Sequence, residues 1–323
     1  MSLEIEGNHA EQTTILVTGG SGLVGGAVAR HLKDRGYQVL APRRQELDLL
    51  DRSQTERFLA LHQPTHVIAA AALVGGIAAN IAEPVRFLTE NIEMQSNLML
   101  AASMQNVKRF IFLSSSCVYP RLCSQPMREE YMLTGDFEPT NKSYAIAKVA
   151  GTQLASALNQ EDRLSATVLV PSNLYGPGDS FDPIRAHVAS ALVKKFVDAR
   201  RHQKPVVEVW GTGQARRELT HVSDLASAIE MVLHRDNVPF MINVGTGVDH
   251  SISEIASLIK AISGYEGEVV FDTSKPDGMP RKVLDISRIQ ELGWSPSIDL
   301  LMGLTELTHQ YELLASAQSD VEI

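Results

Sequence analysis

The sequence predicts an α/β fold, with a doubly wound parallel sheet followed by a smaller mixed α/β region. Three observations predict it. Short apolar runs alternate with amphipathic stretches through the first half of the chain, the rhythm of repeated βαβ units. A glycine-rich turn, TGGSGLVG, stands directly between the first apolar run and the first helical stretch. After Pro171 the rhythm gives way to a turn-rich segment and mixed elements.

The elements follow in order. TILVT, from Thr14 to Thr18, is a buried-strand pattern. Leu23 to Arg35 has helical spacing and stops at Gly36, where glycine accepts the left-handed turn. QVLAP is a second strand. Ser53 to Leu61 reads as a helix, with Ser53 as its N-cap and Glu56 three residues on. HVIAAA is a third strand, and Pro84 opens a helix to about Asn106. RFIFLSSS is a fourth strand, Tyr144 to about Asn159 an alanine-rich helix, and SATVLV a further strand. SNLYGPGDSFDP reads as a loop. A helix from about His187, the strand VVEVW and a helix after Asp224 follow. This divides the chain into a nucleotide-binding region over 12–171, with 218–245 returning to it, and a substrate region over 172–217 and 246–315. Residues 1–11 and 316–323 are expected to be flexible tails.

Composition bounds the function. The 323 residues are 44% hydrophobic, 21% charged and 6% aromatic, the profile of a soluble globular chain. A net charge of −9 gives no general field for nucleic acid or an anionic membrane, so any anionic ligand needs local cations. Cys117 and Cys123 cannot build a disulfide framework and suit a reducing compartment. No apolar run approaches the roughly 20 residues that span a bilayer, and the polar start is not a signal peptide. A cytoplasmic location is expected. No Cys/His spacing suggests a metal.

The glycine turn places Gly19, Gly22 and Gly25 at three-residue spacing. Glycine lets the backbone approach a pyrophosphate, whose charge then meets a helix N-terminus. In this strand–turn–helix setting the turn is read as a dinucleotide site of Rossmann type. At the end of the second strand, where NAD enzymes carry an acid, the chain has Arg43 and Arg44. Cations there suit a 2′-phosphate, so the expected cofactor is NADP(H).

Tyr144 and Lys148 stand four apart in SYAIAKVAG and share a helix face. An unperturbed phenol ionises near pH 10, and a neighbouring ammonium is expected to lower that value. Ser115 ends the fourth strand, on the edge where such sheets present ligand-binding residues.

Together these motifs resemble the extended short-chain dehydrogenase/reductase family: the glycine turn, SSSCVYP, YAIAK and NLYGP occur in its order. AAALVGGI, EPTNKSYAIAKVAG, VWGTG, INVGTGVD and VVFDTSKPDGMPRK narrow the likeness. They resemble the members that convert GDP-4-keto-6-deoxy-D-mannose to GDP-L-fucose by 3,5-epimerisation and NADPH-dependent 4-reduction. The likeness runs from about Thr14 to about Gly303. It implies that Gly19, Gly20, Ser21, Gly22, Leu23, Val24 and Gly25 hold the pyrophosphate and Arg44 the 2′-phosphate. It implies that Leu113, Ser114, Ser115, Ser116, Pro171, Ser172, Asn173 and Leu174 line the nicotinamide, with Lys148 and His187 also on the cofactor. Tyr144 would donate the proton of the reduction, assisted by Lys148 and Ser115. Cys117 and His187 match the epimerisation acid–base pair, with either one as the base. Lys195, Trp210, Arg217 and Asp277 match nucleotide-sugar contacts. Family habit adds a homodimer through the two helices near 84–106 and 144–159.

The chain departs from the family pattern at Ser21 and Leu73, where basic residues are common, at Gly178, where His is common, and at Lys195, where Arg is common. These positions bear on cofactor affinity and choice of sugar. Rival readings are another GDP-keto-sugar (dideoxy or heptose), a nucleotide-sugar 4-epimerase that recycles NAD in place, and a dinucleotide sensor without turnover.

Overall fold

The structure is a computed structural model that describes residues 13–182, 186–275 and 277–319. The expected tail over 1–11 lies outside the described residues. The first half alternates strand and helix: β1 (Thr14–Val17), α1 (Leu23–Asp34), β2 (Gln38–Leu40), α2 (Arg52–His62), β3 (His66–Ala69), α3 (Ile77–Ala82), α4 (Pro84–Ala102), β4 (Arg109–Leu113), α5 (Lys142–Gln160) and β5 (Ala166–Pro171). After them come β6 (Asn173–Tyr175), α6 (Val188–Arg201), β7 (Val206–Trp210), β8 (Arg216–His221), α7 (Val222–Leu233), β9 (Met241–Val244) and β10 (Asp249–Ser251). The chain closes with α8 (Ile252–Ser263), β11 (Glu268–Asp272), β12 (Arg281–Lys282), α9 (Ser287–Glu291) and α10 (Leu300–Ser319).

The main sheet runs β2-β1-β3-β4-β5-β9, all parallel. Helices cover both faces, which is why TILV, HVIA and ATVLVP read as unbroken apolar runs rather than alternating ones. The chain leaves β1 for β2 on one side and later fills β3 on the other. That reversal opens a crevice beyond the C-terminal ends of β1 and β3, where such sheets bind ligands. β9 is the far edge, pairing Val168 with Met241, and α7 packs on α1.

A second apolar core joins Val193, Phe196, Val207, Ile255, Ile259, Leu304 and Leu307 from α6, β7, α8 and α10. Beside it, β8 pairs with β6, β10 and β12. Ser251 and Glu254 form a reciprocal N-cap on α8, and Gly264 closes that helix with φ +67°.

Several expectations are corrected. Asp51, not Ser53, caps α2: its side chain accepts from the Gln54 amide, and the helix begins at Arg52. α4 ends at Ala102, and β4 stops at Leu113, because the serines after it turn into the loop over the sheet. Asn173–Tyr175, read as loop, is the strand β6 and pairs with Leu219–His221. α7 begins at Val222, two residues before Asp224. The chain is helical as far as Ser319, so 316–319 continue α10; residues 320–323 lie outside the described residues.

Candidate active site

The glycine turn is built for close approach of backbone to backbone. Gly19 has φ +71°, and a Cβ there would stand 2.9 Å from the Ala71 Cα. A Cβ on Gly25 would stand 2.2 Å from the Gly19 carbonyl oxygen, a position only glycine can hold. Thr18 Oγ1 donates to the Ile68 carbonyl at 3.4 Å and accepts from the Ala71 amide at 3.1 Å, tying the turn to the end of β3. α1 starts at the Gly22 N-cap with no side-chain cap and no acid in its first turn. Its positive end is left for an external anion. Ser21 is exposed; Leu23 and Val24 are half-buried. Past β2, Arg43 and Arg44 lie exposed in a turn closed by the Glu46 amide donating to the Arg43 carbonyl. Arg44 makes only an exposed 3.5 Å ion pair with Asp48, which contributes little. These features fit a phosphorylated dinucleotide: a cradle that a Cβ would fill, an uncapped helix start, and arginines where a ribose-binding acid would stand.

At the C-terminal end of β4, Ser115 caps a short turn at 116–118, its hydroxyl accepting from the Cys117 amide at 3.4 Å. The Ser115 hydroxyl also favours ionisation of the Tyr144 phenol. Lys148 is buried one turn along α5, donating from Nζ to the Leu113 carbonyl at 2.8 Å and lying 5.8 Å from the centre of the Tyr144 ring. Burial pulls the ammonium down to about 8. The expected lowering of the phenol is not found: burial pushes Tyr144 well above its ordinary value, aided by Cys117, and the Ser115 hydroxyl only partly offsets it. Tyr144 is therefore a protonated phenol, the form that donates a proton.

Cys117 is 6% exposed. Burial pushes its thiol up, while Lys282, the Ser115 hydroxyl and Lys148 favour the thiolate. His187 is the N-cap of α6. Burial holds its imidazole below the ordinary value, Asp179 opposes that shift and Lys282 adds to it. The thiol and the imidazole thus share one ammonium, Lys282 on β12, whose strand partner on β8 is Arg217. Burial lowers Lys282 in turn, against the charges of Cys117, Glu218 and Glu138.

The nucleotide-sugar candidates form a second group. Lys195 Nζ donates to the Glu208 carbonyl at 2.9 Å and sits 5.8 Å from the centre of the Trp210 ring. Trp210 is 57% exposed, with Lys275 at 5.6 Å. Asp277 accepts from the Thr212 amide at 2.7 Å and the Thr212 hydroxyl at 2.8 Å, which fixes the turn after Trp210. Arg217 donates to the carbonyls of Met279 at 2.6 Å and Asp277 at 3.1 Å. The structure thus brings Lys195, Trp210, Arg217 and Asp277 into one chain of contacts.

The residues expected along the nicotinamide lie at neighbouring strand ends. Leu113, Ser114, Ser116, Pro171 and Ser172 are buried, and Asn173 and Leu174 are half-buried on β6. Ser172 shares a 2.6 Å hydrogen bond with Thr220, locking β6 to β8. Sequence reasoning missed Lys282, Asp179, Lys275 and Glu138. Lys282 lies inside the PRK run, but nothing in its spacing tells that a two-residue strand brings its charge to bear on Cys117. Among the described residues no group of three or more His, Cys, Asp or Glu could hold a metal.

Comparison with known proteins agrees with the motifs. The family model "NAD dependent epimerase/dehydratase family" matches residues 15–245. GDP-L-fucose synthase of Escherichia coli (strain K12) is 43% identical, covering 93% of this chain and 96% of the relative. GDP-L-colitose synthase of Yersinia pseudotuberculosis is 42% identical over 93% and 97%. The crystal structure of a GDP-L-fucose synthetase from Naegleria fowleri bound to NADP superimposes with a TM-score of 0.85 at 26% identity, covering 94% of this chain and 95% of that one. A match of this reach, over the turn and the strand ends that carry the site, places the protein in the NAD dependent epimerase/dehydratase family.

Proposed function

We propose that this protein converts GDP-4-keto-6-deoxy-D-mannose to GDP-L-fucose in one site, by epimerisation at C3 and C5 and reduction at C4 with NADPH. One observation carries the reading. A buried thiol, Cys117, and the His187 imidazole at the start of α6 both feel the charge of Lys282, in addition to the Ser115–Tyr144–Lys148 group. A plain reductase, or a 4-epimerase, has no use for that additional pair.

The chemistry follows from the groups. A ketone at C4 acidifies the hydrogens at C3 and C5. Ser115 and Tyr144 hold the carbonyl oxygen by hydrogen bonds as charge develops on it. One of Cys117 and His187 takes the proton from carbon, and the other returns one to the opposite face. The proton count is thereby restored at each centre. Lys282 offsets negative charge on the thiolate side. The nicotinamide cofactor, when bound, supplies the hydride for C4. Tyr144 delivers the proton to the C4 oxygen, and Lys148 stabilises the phenolate left behind. Gly19 to Gly25 and the start of α1 hold the pyrophosphate, with Arg44 and Arg43 on the 2′-phosphate. Lys195, Arg217 and Asp277 take the GDP moiety, and Trp210 offers a flat face for the base.

The reading extends to a homodimer through α4 and α5, a cytoplasmic location and two lobes, one for cofactor and one for sugar nucleotide. A second reading, action on a different GDP-keto-sugar, is favoured by the 42% identity to the colitose enzyme. The test is turnover of GDP-4-keto-6-deoxy-D-mannose with NADPH or NADH and NMR of the product. GDP-L-fucose formed with preference for NADPH is expected. A product with unchanged C3 and C5, or no use of NADPH, would overturn the reading.

A further inference from the structure

Asp179 stands in the loop that leaves β6, and the proposed mechanism gives it no task. Its two carboxylate oxygens are held separately. Oδ1 accepts from the Ser180 amide at 2.8 Å, and Oδ2 accepts from the Ser190 hydroxyl. Its own amide donates to the Gly176 carbonyl at 3.1 Å. Ser190 is the third residue of α6, and His187 is the N-cap of that helix. The Ser190 bond therefore docks the carboxylate on the first turn of α6, within electrostatic reach of the imidazole. α6 is itself fixed from behind, with Lys194 and Asp198 both bonded to the Tyr311 hydroxyl of α10.

We propose that Asp179 is the positioning residue for His187: its carboxylate, docked by Ser190 on the helix turn that His187 caps, stabilises the imidazolium that forms once in every epimerisation. The inference rests on the reading of His187 as half of the acid–base pair. It does not depend on direction: as a base His187 ends as imidazolium, and as an acid it starts as one. The charged groups that face His187 are Asp179, from the loop after β6, and Lys282, from β12. They act in opposition. The ammonium and burial favour neutral imidazole, and the carboxylate restores access to the charged form. A carboxylate that steadies an imidazolium without itself taking the proton is a known device for this task. Serine at 190 fits the arrangement, since its hydroxyl spends its proton on the carboxylate and leaves the imidazole free to meet substrate.

The test reads proton transfer apart from reduction. The full chain is incubated with GDP-4-keto-6-deoxy-D-mannose in D2O, with NADP+ in place of NADPH, and deuterium entry at C3 and C5 is followed by NMR across pH. Asp179→Asn should slow exchange by on the order of 10- to 100-fold, below most of the roughly 10²–10⁴-fold that general acid–base catalysis contributes, because Asp179 acts through His187. The limb of the pH profile that belongs to His187 should move to lower pH by about one unit, because the charged form loses its partner. Asp179→Glu should recover part of both. Ser190→Ala, which frees the carboxylate without removing it, should show a smaller shift in the same sense and carries the test if the Asn variant does not fold. A normal rate and an unmoved limb in Asp179→Asn, or an unmoved limb in Ser190→Ala, would overturn the proposal. His187→Asn separates the two levels. Exchange lost there with Asp179→Asn unaffected defeats only this inference, whereas exchange retained in His187→Asn defeats the reading of the pair.

Discussion

The Lys148 ammonium lies 5.8 Å from the centre of the Tyr144 ring, and its hydrogen bond goes to the Leu113 carbonyl at 2.8 Å. The phenol is raised by burial, and the Ser115 hydroxyl offsets part of that rise. The two side chains share a helix face, yet the lysine spends its hydrogen bond on the backbone rather than on the tyrosine. Tyr144→Phe removes the proton donor without changing packing much. Reduction at C4 should fall by on the order of 10²–10⁴-fold, with NADPH binding kept. Stopped-flow NADPH oxidation and a binding titration check both.

The Lys148 charge also sets a pH limit. Burial lowers its ammonium to about 8, so the folded protein loses this proton as pH rises through about 8, while the unfolded chain holds it to the ordinary value of 10.5. The kcat/KM of the reduction should fall above about pH 8, since that quantity reports the free enzyme. The stability sign is opposite. Between about 8 and 10.5 the unfolded state binds the extra proton, so this group contributes rising stability with pH in that window. Chemical denaturation at pH 7.5 and 9.5 reads that sign, and a rate profile reads the limb.

Gly25→Ala tests the cradle. Its Cβ would meet the Gly19 oxygen at 2.2 Å, so the turn must open. Overpacking of this kind costs about 1–3 kcal/mol. A lower melting temperature and loss of NADPH binding are expected. An alanine variant that binds NADPH as well as the parent would remove the glycine turn from the cofactor site.

Arg43→Ala with Arg44→Ala should weaken NADPH and leave NADH almost untouched, because only one of them carries the 2′-phosphate. Both side chains are exposed and neither supports the fold, so the melting temperature should hold within a degree or two. Parallel titrations with the two cofactors decide it.

How much of this was legible follows from the kind of signal each feature leaves. TILV, HVIA and ATVLVP declared a parallel sheet because burial on both faces makes a strand uniformly apolar, and the glycine turn located the crevice beside it. β6 was hidden because three residues between prolines and glycines carry no period. Asp51 is masked as a cap in the sequence because Ser53 sits two residues on with an acid at the right offset. Tyr144, Lys148 and Ser115 could be placed together from spacing and strand ends alone. Lys282 could not: a two-residue strand across from Arg217 leaves no pattern, and its closeness to Cys117 exists only in the folded chain. Asp179 is one acid in a turn-rich loop until Ser190 closes on it.

The most direct test of the central claim is the isotope pattern of a single turnover. The enzyme, NADPH and GDP-4-keto-6-deoxy-D-mannose are mixed in D2O, and the product is read by NMR, with Cys117→Ser run beside the parent. NADPH loss with deuterium at both C3 and C5, and loss of that deuterium in Cys117→Ser, is the predicted result. NADPH loss with protium retained at C3 and C5 of the parent's product would contradict it, leaving a 4-reductase without epimerase activity.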